Sequence, residues 1–169
     1  MAFENPYSFG MRMMTDTIWS MNQMYGGQAD SDSVSFEEGN ISSVEKSFSS
    51  TDVRKFAELT GDENRLHTDR RYAEAEGPFD KPIVHGVLVM GSVSSALAKF
   101  EGDIIIESMD ELNFLKPVYV DDEVNISCRV TNMDGRRAKV DVEVVNIEQD
   151  CTVLEGKTTL FNANGMDLS

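Results

Sequence analysis

Basic residues are scarce in this chain of 169 residues: 15 lysines and arginines face 30 aspartates and glutamates, for a formal charge of −15. A surface so poor in cations cannot neutralise phosphate backbones or anionic headgroups, which excludes general nucleic-acid and membrane-surface binding. The same imbalance suits a protein kept soluble in high salt, where self-repulsion is screened, so a halophilic source is expected. Cysteine is scarce too. Cys128 and Cys151 are too few and too far apart for a disulfide framework or a metal knuckle. With no secretory leader before them, they read as core thiols of a reducing cytoplasm. No apolar run approaches the ~20 residues of a membrane-spanning helix, and no internal repeat is visible. Histidine occurs only at positions 67 and 85.

What remains suits one domain with an appendage, since 40% hydrophobic residues are enough to build a core. Met11, Met14, Ile18, Met21 and Tyr25 recur at spacings of three and four, one apolar stripe of an N-terminal helix. The stripe is expected to pack on its own subunit or a second copy; the alternative is docking on an external partner or a hydrophobic granule surface. Gln28 to Asn40 is polar and reads as a linker, which divides the chain into an extension over 1–40 and a domain over 41–169.

Within the domain, Ile41 to Phe48 reads as a strand, followed by a helix capped at Ser50 or Thr51 that buries Val53, Phe56 and Ala57 and stops at Gly61. Tyr72 to Glu76 suits a further helical turn. Val87 to Phe100 is apolar nearly all round, with small residues interspersed, and such a helix has to be wrapped. Ile104 to Val120, Glu123 to Met133, Arg136 to Glu148 and Thr152 to Phe161 read as antiparallel strands, with Asp134-Gly135 turning a hairpin. Helices followed by strands give an α+β class.

The chemistry concentrates in Thr60-Gly61-Asp62-Glu63-Asn64-Arg65-Leu66-His67. A left-handed Gly61 would stop the helix and aim Asp62 sideways. A carboxylate and an imidazole five residues apart in one tight loop can converge on a single water, and burial would tune both toward neutral pH. Taken singly, Asp62 reads as a helix-terminal capping carboxylate and His67 as a hydrogen-bonded core histidine. Gly86 stands where the apolar helix begins, so its N–H has no partner within the helix and faces negative charge with the positive end of the dipole.

Thr60-Gly61-Asp62, Asn64, Leu66-His67 and Ala73 together resemble the signature of the (R)-specific enoyl-CoA hydratases, a MaoC-like family with a hot-dog fold. Phe79-Asp80-Lys81-Pro82-Ile83-Val84-His85-Gly86 and Asn113-Phe114-Leu115-Lys116-Pro117-Val118 extend the likeness, in the family's order and spacing, over roughly residues 43 to 162. Two positions depart from the pattern. Arg65 stands where the family usually has proline, and Asp121 where it usually has glycine, although aspartate tolerates left-handed geometry.

The resemblance implies an antiparallel sheet wrapped around a long central helix, and a hydratase that adds water to trans-2-enoyl-CoA. Asp62 and His67 would be the catalytic pair, with Asn64 structuring the loop. The Gly86 amide would hold the thioester oxygen, and Ser94, two turns along the helix, would line the site. His85 reads as a buried structural histidine. No metal is expected, because backbone amides suffice to hold an enolate, and no cofactor beyond the coenzyme A of the substrate. Arg65, Arg70, Arg71, Lys81 and Lys116 are candidates for a basic rim that meets its phosphates. A homodimer or a multiple of it, a cytoplasmic location and a product feeding polyhydroxyalkanoate synthesis or lipid metabolism complete the implication. The rival readings are a non-catalytic hot-dog protein docking on a synthase or granule, and an acyl-CoA thioesterase.

Overall fold

The computed structural model describes residues 33–164; the methionine-bearing helix expected before residue 26 lies outside them. Among these residues five antiparallel strands form one sheet: β1 (Ile41–Ser47), β2 (Ile104–Phe114), β3 (Glu123–Asp134), β4 (Arg137–Asn146) and β5 (Cys151–Asn162), in the order β1-β3-β4-β5-β2. The helices are α1 (Ser50–Thr60), α2 (Arg65–Thr68), α3 (Arg70–Ala75) and α4 (Gly86–Leu97). The sheet alternates as period two demands. On β4, Ala138, Val140, Val142 and Val144 are buried while Arg137, Lys139, Asp141 and Glu143 face outward. The inward rows of β3, β4 and β5 meet Val89, Val93, Ala96 and Leu97 of α4 in one core that also takes in Phe48, Val53 and Phe100. Each valine, leucine, isoleucine or phenylalanine among them contributes about 1.5–3 kcal/mol by leaving water. This is the α+β hot-dog arrangement expected of the sequence.

Several details differ from the sequence reading. Residues 33–40 are not a free linker: Val34 bridges Phe100, Phe36 packs edge-on against Phe100 at 5.7 Å, and Gly39 donates to the Val130 carbonyl. The folded domain therefore begins by residue 33 rather than 41. The cap of α1 is Ser49, whose hydroxyl accepts from the Asp52 N–H while the Asp52 carboxylate accepts from the Ser49 N–H. That bonding holds the Asp52 carboxyl below its usual range. β2 stops at Phe114 instead of running on to Val120, because the Leu115 and Lys116 N–H groups both turn to the Val153 carbonyl and Pro117 has no N–H to offer.

The helix α4 is covered by the sheet on one side only. Val87, Gly91, Ser94 and Ala98, spaced four, three and four apart, are exposed along the other. Among the described residues β2 is likewise an edge strand, with Ile105 47% and Phe114 53% exposed.

Behind the site, the segment 81–84 is stapled to the chain that follows β2. Val84 donates to the Val118 carbonyl, Val120 donates to the Pro82 carbonyl, and Ile83 pairs with Tyr119. The buried Asp122 completes the staple: it accepts from Lys81, Asn146, Gln149 and the Tyr119 N–H. Asp121 beside it is left-handed at φ 71°, as its place in the turn required.

Candidate active site

Local chemistry builds the loop between α1 and α2. Gly61 takes φ 77°, donates to the Ala57 carbonyl and ends α1. The chain then turns on short side chains. The Asp62 carboxylate accepts from the Asn64 N–H at 3.3 Å, and the Asn64 side chain accepts from the Leu66 N–H at 3.0 Å and so caps α2. Arg65 occupies the first helical position, where proline would serve as well. Its guanidinium instead pairs with Asp69 at 3.0 Å and lies over the Tyr72 ring at 4.2 Å.

This places His67 opposite Ile83. The Ile83 N–H donates to the Leu66 carbonyl, and His67 Nδ1 lies 2.8 Å from the Ile83 carbonyl. A carbonyl only accepts, so Nδ1 carries the proton and Nε2 keeps a free lone pair. Partial burial lowers the His67 pKa below the usual imidazole value, and neighbouring His85 adds to the lowering; the Ile83 carbonyl and the Asp62 carboxylate pull the other way. The ring is therefore neutral at pH 7.

Asp62, His67 and His85 offer nitrogen and oxygen atoms within 4.8 Å of one another. Two histidines and a carboxylate are a familiar ligand set, but this geometry suits an ion poorly. The rings stack with centroids 3.8 Å apart and planes 29° from parallel, so their in-plane lone pairs do not converge. His67 Nδ1 and His85 Nε2 are also each directed at a backbone carbonyl. The Asp62 side chain is 54% exposed among the described residues, not buried as its place in the loop suggested.

Beside His67 opens a cavity of about 320 Å³, walled mainly by Phe79, Val89, Phe114, Leu115, Val118 and Leu154. His67, Gly86 and Lys116 are its polar features. Gly86 is the first residue of α4, which has no side-chain cap, so its N–H lacks an intrahelical acceptor. A second reason for glycine here is steric: a Cβ would fall 2.8 Å from the Phe114 ring. Sequence reading named Lys116 as one of five rim candidates without singling it out and missed the crossing, since both depend on where the end of β2 passes over α4.

Of the residues singled out from sequence, the structure gathers Asp62, Asn64 and His67 in one loop and brings His67 and Gly86 to one cavity. It does not bring Ser94 there. Ser94 is exposed, about 12 Å along α4 from Gly86 and about 80° round the axis, on the uncovered side of the helix. Of the proposed basic rim, Arg65, Arg70 and Lys81 are paired to Asp69, Glu74 and Asp122, while Lys116 faces the cavity.

Comparison with known proteins agrees with this architecture. Residues 33–151 match the model of the MaoC like domain family. The chain is 32% identical over 115 residues to a 3-hydroxybutyryl-CoA dehydratase of Methylorubrum extorquens, covering 68% of this chain and 73% of the relative. It is 30% identical over 126 residues to an (R)-specific enoyl-CoA hydratase of Rhodospirillum rubrum, covering 74% and 87% respectively. Among solved structures, the (R)-hydratase from A. caviae involved in PHA biosynthesis superimposes with a TM-score of 0.70 at 28% identity, covering 75% of this chain and 97% of that one.

Proposed function

The chain belongs to the MaoC-like domain family, and from that premise we propose that it is an (R)-specific enoyl-CoA hydratase acting on trans-2-enoyl-CoA in the cytoplasm. The observation that carries this reading is His67, whose Nδ1 is committed to the Ile83 carbonyl while its ring borders the cavity that also receives Gly86. A neutral imidazole with Nε2 free accepts a proton from water. The Asp62 carboxylate accepts a hydrogen bond from the water's other O–H and orients it. The water oxygen adds to C3 of the enoyl thioester, and negative charge passes to the thioester oxygen at the Gly86 amide. The proton gained by His67 returns at C2, so that both groups end as they began. No cofactor enters; coenzyme A arrives as part of the substrate. The product, an (R)-3-hydroxyacyl-CoA, suits polyhydroxyalkanoate or lipid metabolism.

A homodimer completes the site. The apolar, half-exposed Phe114 and Leu115 at the end of the β2 edge, and the uncovered face of α4, support a second copy closing the cavity. Lys116, at the cavity in a chain of charge −15, is placed to meet the phosphates of the carrier.

The test is crotonyl-CoA mixed with pure protein. Loss of enoyl thioester absorbance with (R)-3-hydroxybutyryl-CoA as product is the expected result. Release of free thiol would favour a thioesterase, and binding without turnover a docking protein. Sedimentation of the same sample should show a dimer or a multiple of it, and a fully active monomer would contradict the shared cavity.

A further inference from the structure

We infer that His85 is a positioning residue for the hydration, a role that rests on the reading of Asp62 and His67 as the acid/base pair. His85 is 2% exposed and stands at the N-terminus of α4, one residue before Gly86, without a side-chain bond that caps the helix. From there it reaches both partners. Its Nε2 lies 3.0 Å from the Asp62 carbonyl and 3.9 Å from the Asp62 carboxylate, so the Nε2–H is donated to the carbonyl and leans toward the side chain. Its ring stacks on His67 at 3.8 Å, and Phe56 packs against it at 5.0 Å.

The remaining nitrogen, Nδ1, is buried without a hydrogen-bond partner among the described residues. An unpaired buried acceptor is destabilising, and an apolar side chain of similar shape would avoid that cost. Stability alone therefore does not account for histidine at this position. What the position uses is the Nε2–H and the flat ring face. Asp62 sits on a half-exposed loop and His67 on the four-residue α2, anchored at the Ile83 carbonyl, whereas α4 is a 12-residue helix packed in the core. His85 refers both groups to that rigid helix and keeps them in register with the Gly86 amide that leaves the same helix end.

Three substitutions separate the bond from the bulk. In His85→Gln the amide nitrogen reaches the place of Nε2; in His85→Asn it reaches only the place of Nδ1; His85→Leu has no donor. With crotonyl-CoA, His85→Gln should stay within about fivefold of wild-type kcat, while His85→Asn and His85→Leu should lose on the order of 10²-fold, the loss that a misplaced catalytic group brings. KM should be nearly unchanged in all three. A role in folding alone would instead make kcat per folded molecule insensitive to which amide is present. Near-wild-type kcat in His85→Asn, or equal losses in the Gln and Asn variants at matched melting temperatures, would overturn the inference, and this comparison survives a failure of the leucine variant to fold. The ¹⁵N shifts of the His67 ring give a readout without turnover: one Nδ1–H tautomer is expected in wild type and His85→Gln, and a mixture in His85→Asn. Wild-type protein that fails to hydrate crotonyl-CoA would sink the hydratase reading, and these shifts alone would then uphold or overturn the placement of His67 by His85.

Discussion

Between Asp62 and Asp69 most bonds span two to four residues, namely Asp62 to the Asn64 N–H, Asn64 to the Leu66 N–H and Arg65 to Asp69, and only the ties to Ile83 and His85 reach further. Across β3, β4 and β5 the partners lie on separate strands, and side chains such as Ile126, Val140, Val144 and Leu160 are fully buried. The loop is polar, partly exposed and self-structured; the sheet is apolar and collective. Chemistry placed on the loop can thus be altered with little loss of stability, because few buried apolar contacts depend on its tip.

The largest effect should come from the loop. His67→Gln or Asp62→Asn is expected to lower the hydration rate by ~10²–10⁴, because one removes the proposed proton-transfer group and the other the carboxylate proposed to orient the water. Melting followed by circular dichroism should shift by no more than about 2 °C, and a shift several times larger would mean the loop carries the fold as well. The mirror experiment lies in the sheet. Ile126→Ala is expected to cost ~2–5 kcal/mol in urea unfolding by opening a cavity in the core, with kcat per folded molecule within about threefold of wild type.

Asn64→Ala probes the boundary between the two regions. Loss of the α2 cap should cost ~1 kcal/mol and, by releasing His67 from register, about tenfold in kcat. Melting and crotonyl-CoA kinetics on one preparation measure both.

A smaller effect should appear in the pH dependence. Burial depresses the His67 pKa, so the neutral base persists below the ordinary imidazole value of about 6.5 and the acid limb of kcat/KM should fall below it. The sign for stability follows from the same shift: the unfolded chain takes up this proton first, so His67 favours the fold fully above about pH 6.5 and loses that contribution as pH falls through its depressed folded value. An acid limb above pH 7 would remove neutral His67 from the rate. The smallest expected change is Asp121→Gly, which relieves a left-handed φ of 71° in an L-residue and should stabilise by no more than about 1 kcal/mol, with activity untouched.

Much of this was legible in the residues themselves. The loop motif with its Asp62, Asn64 and His67, the helix stop at Gly61, the left-handed turn at Asp121 and the alternating strands all follow from chemistry acting over a few positions. Less legible were the ends of elements: Ser49 outcompetes Ser50 as cap because Asp52 sits three residues on to reciprocate, and β2 ends early because Pro117 breaks its ladder. Ser94 was carried to the site by family likeness, but in this subunit its position round the helix turns it away.

By itself, the sequence determined the order of elements, the class of the fold and the loop that carries the carboxylate and imidazole, since capping, periodicity and turn preference are properties of near neighbours. Only the tertiary structure decided which His67 nitrogen holds the proton, because the carbonyl that settles it belongs to Ile83, 16 residues away. It also decided that His85 lies against His67, that Phe114 crosses Gly86 and that Lys116 faces the cavity. Each of these depends on how segments far apart in the chain are pressed together by a shared apolar core, and that packing is a property of the whole chain.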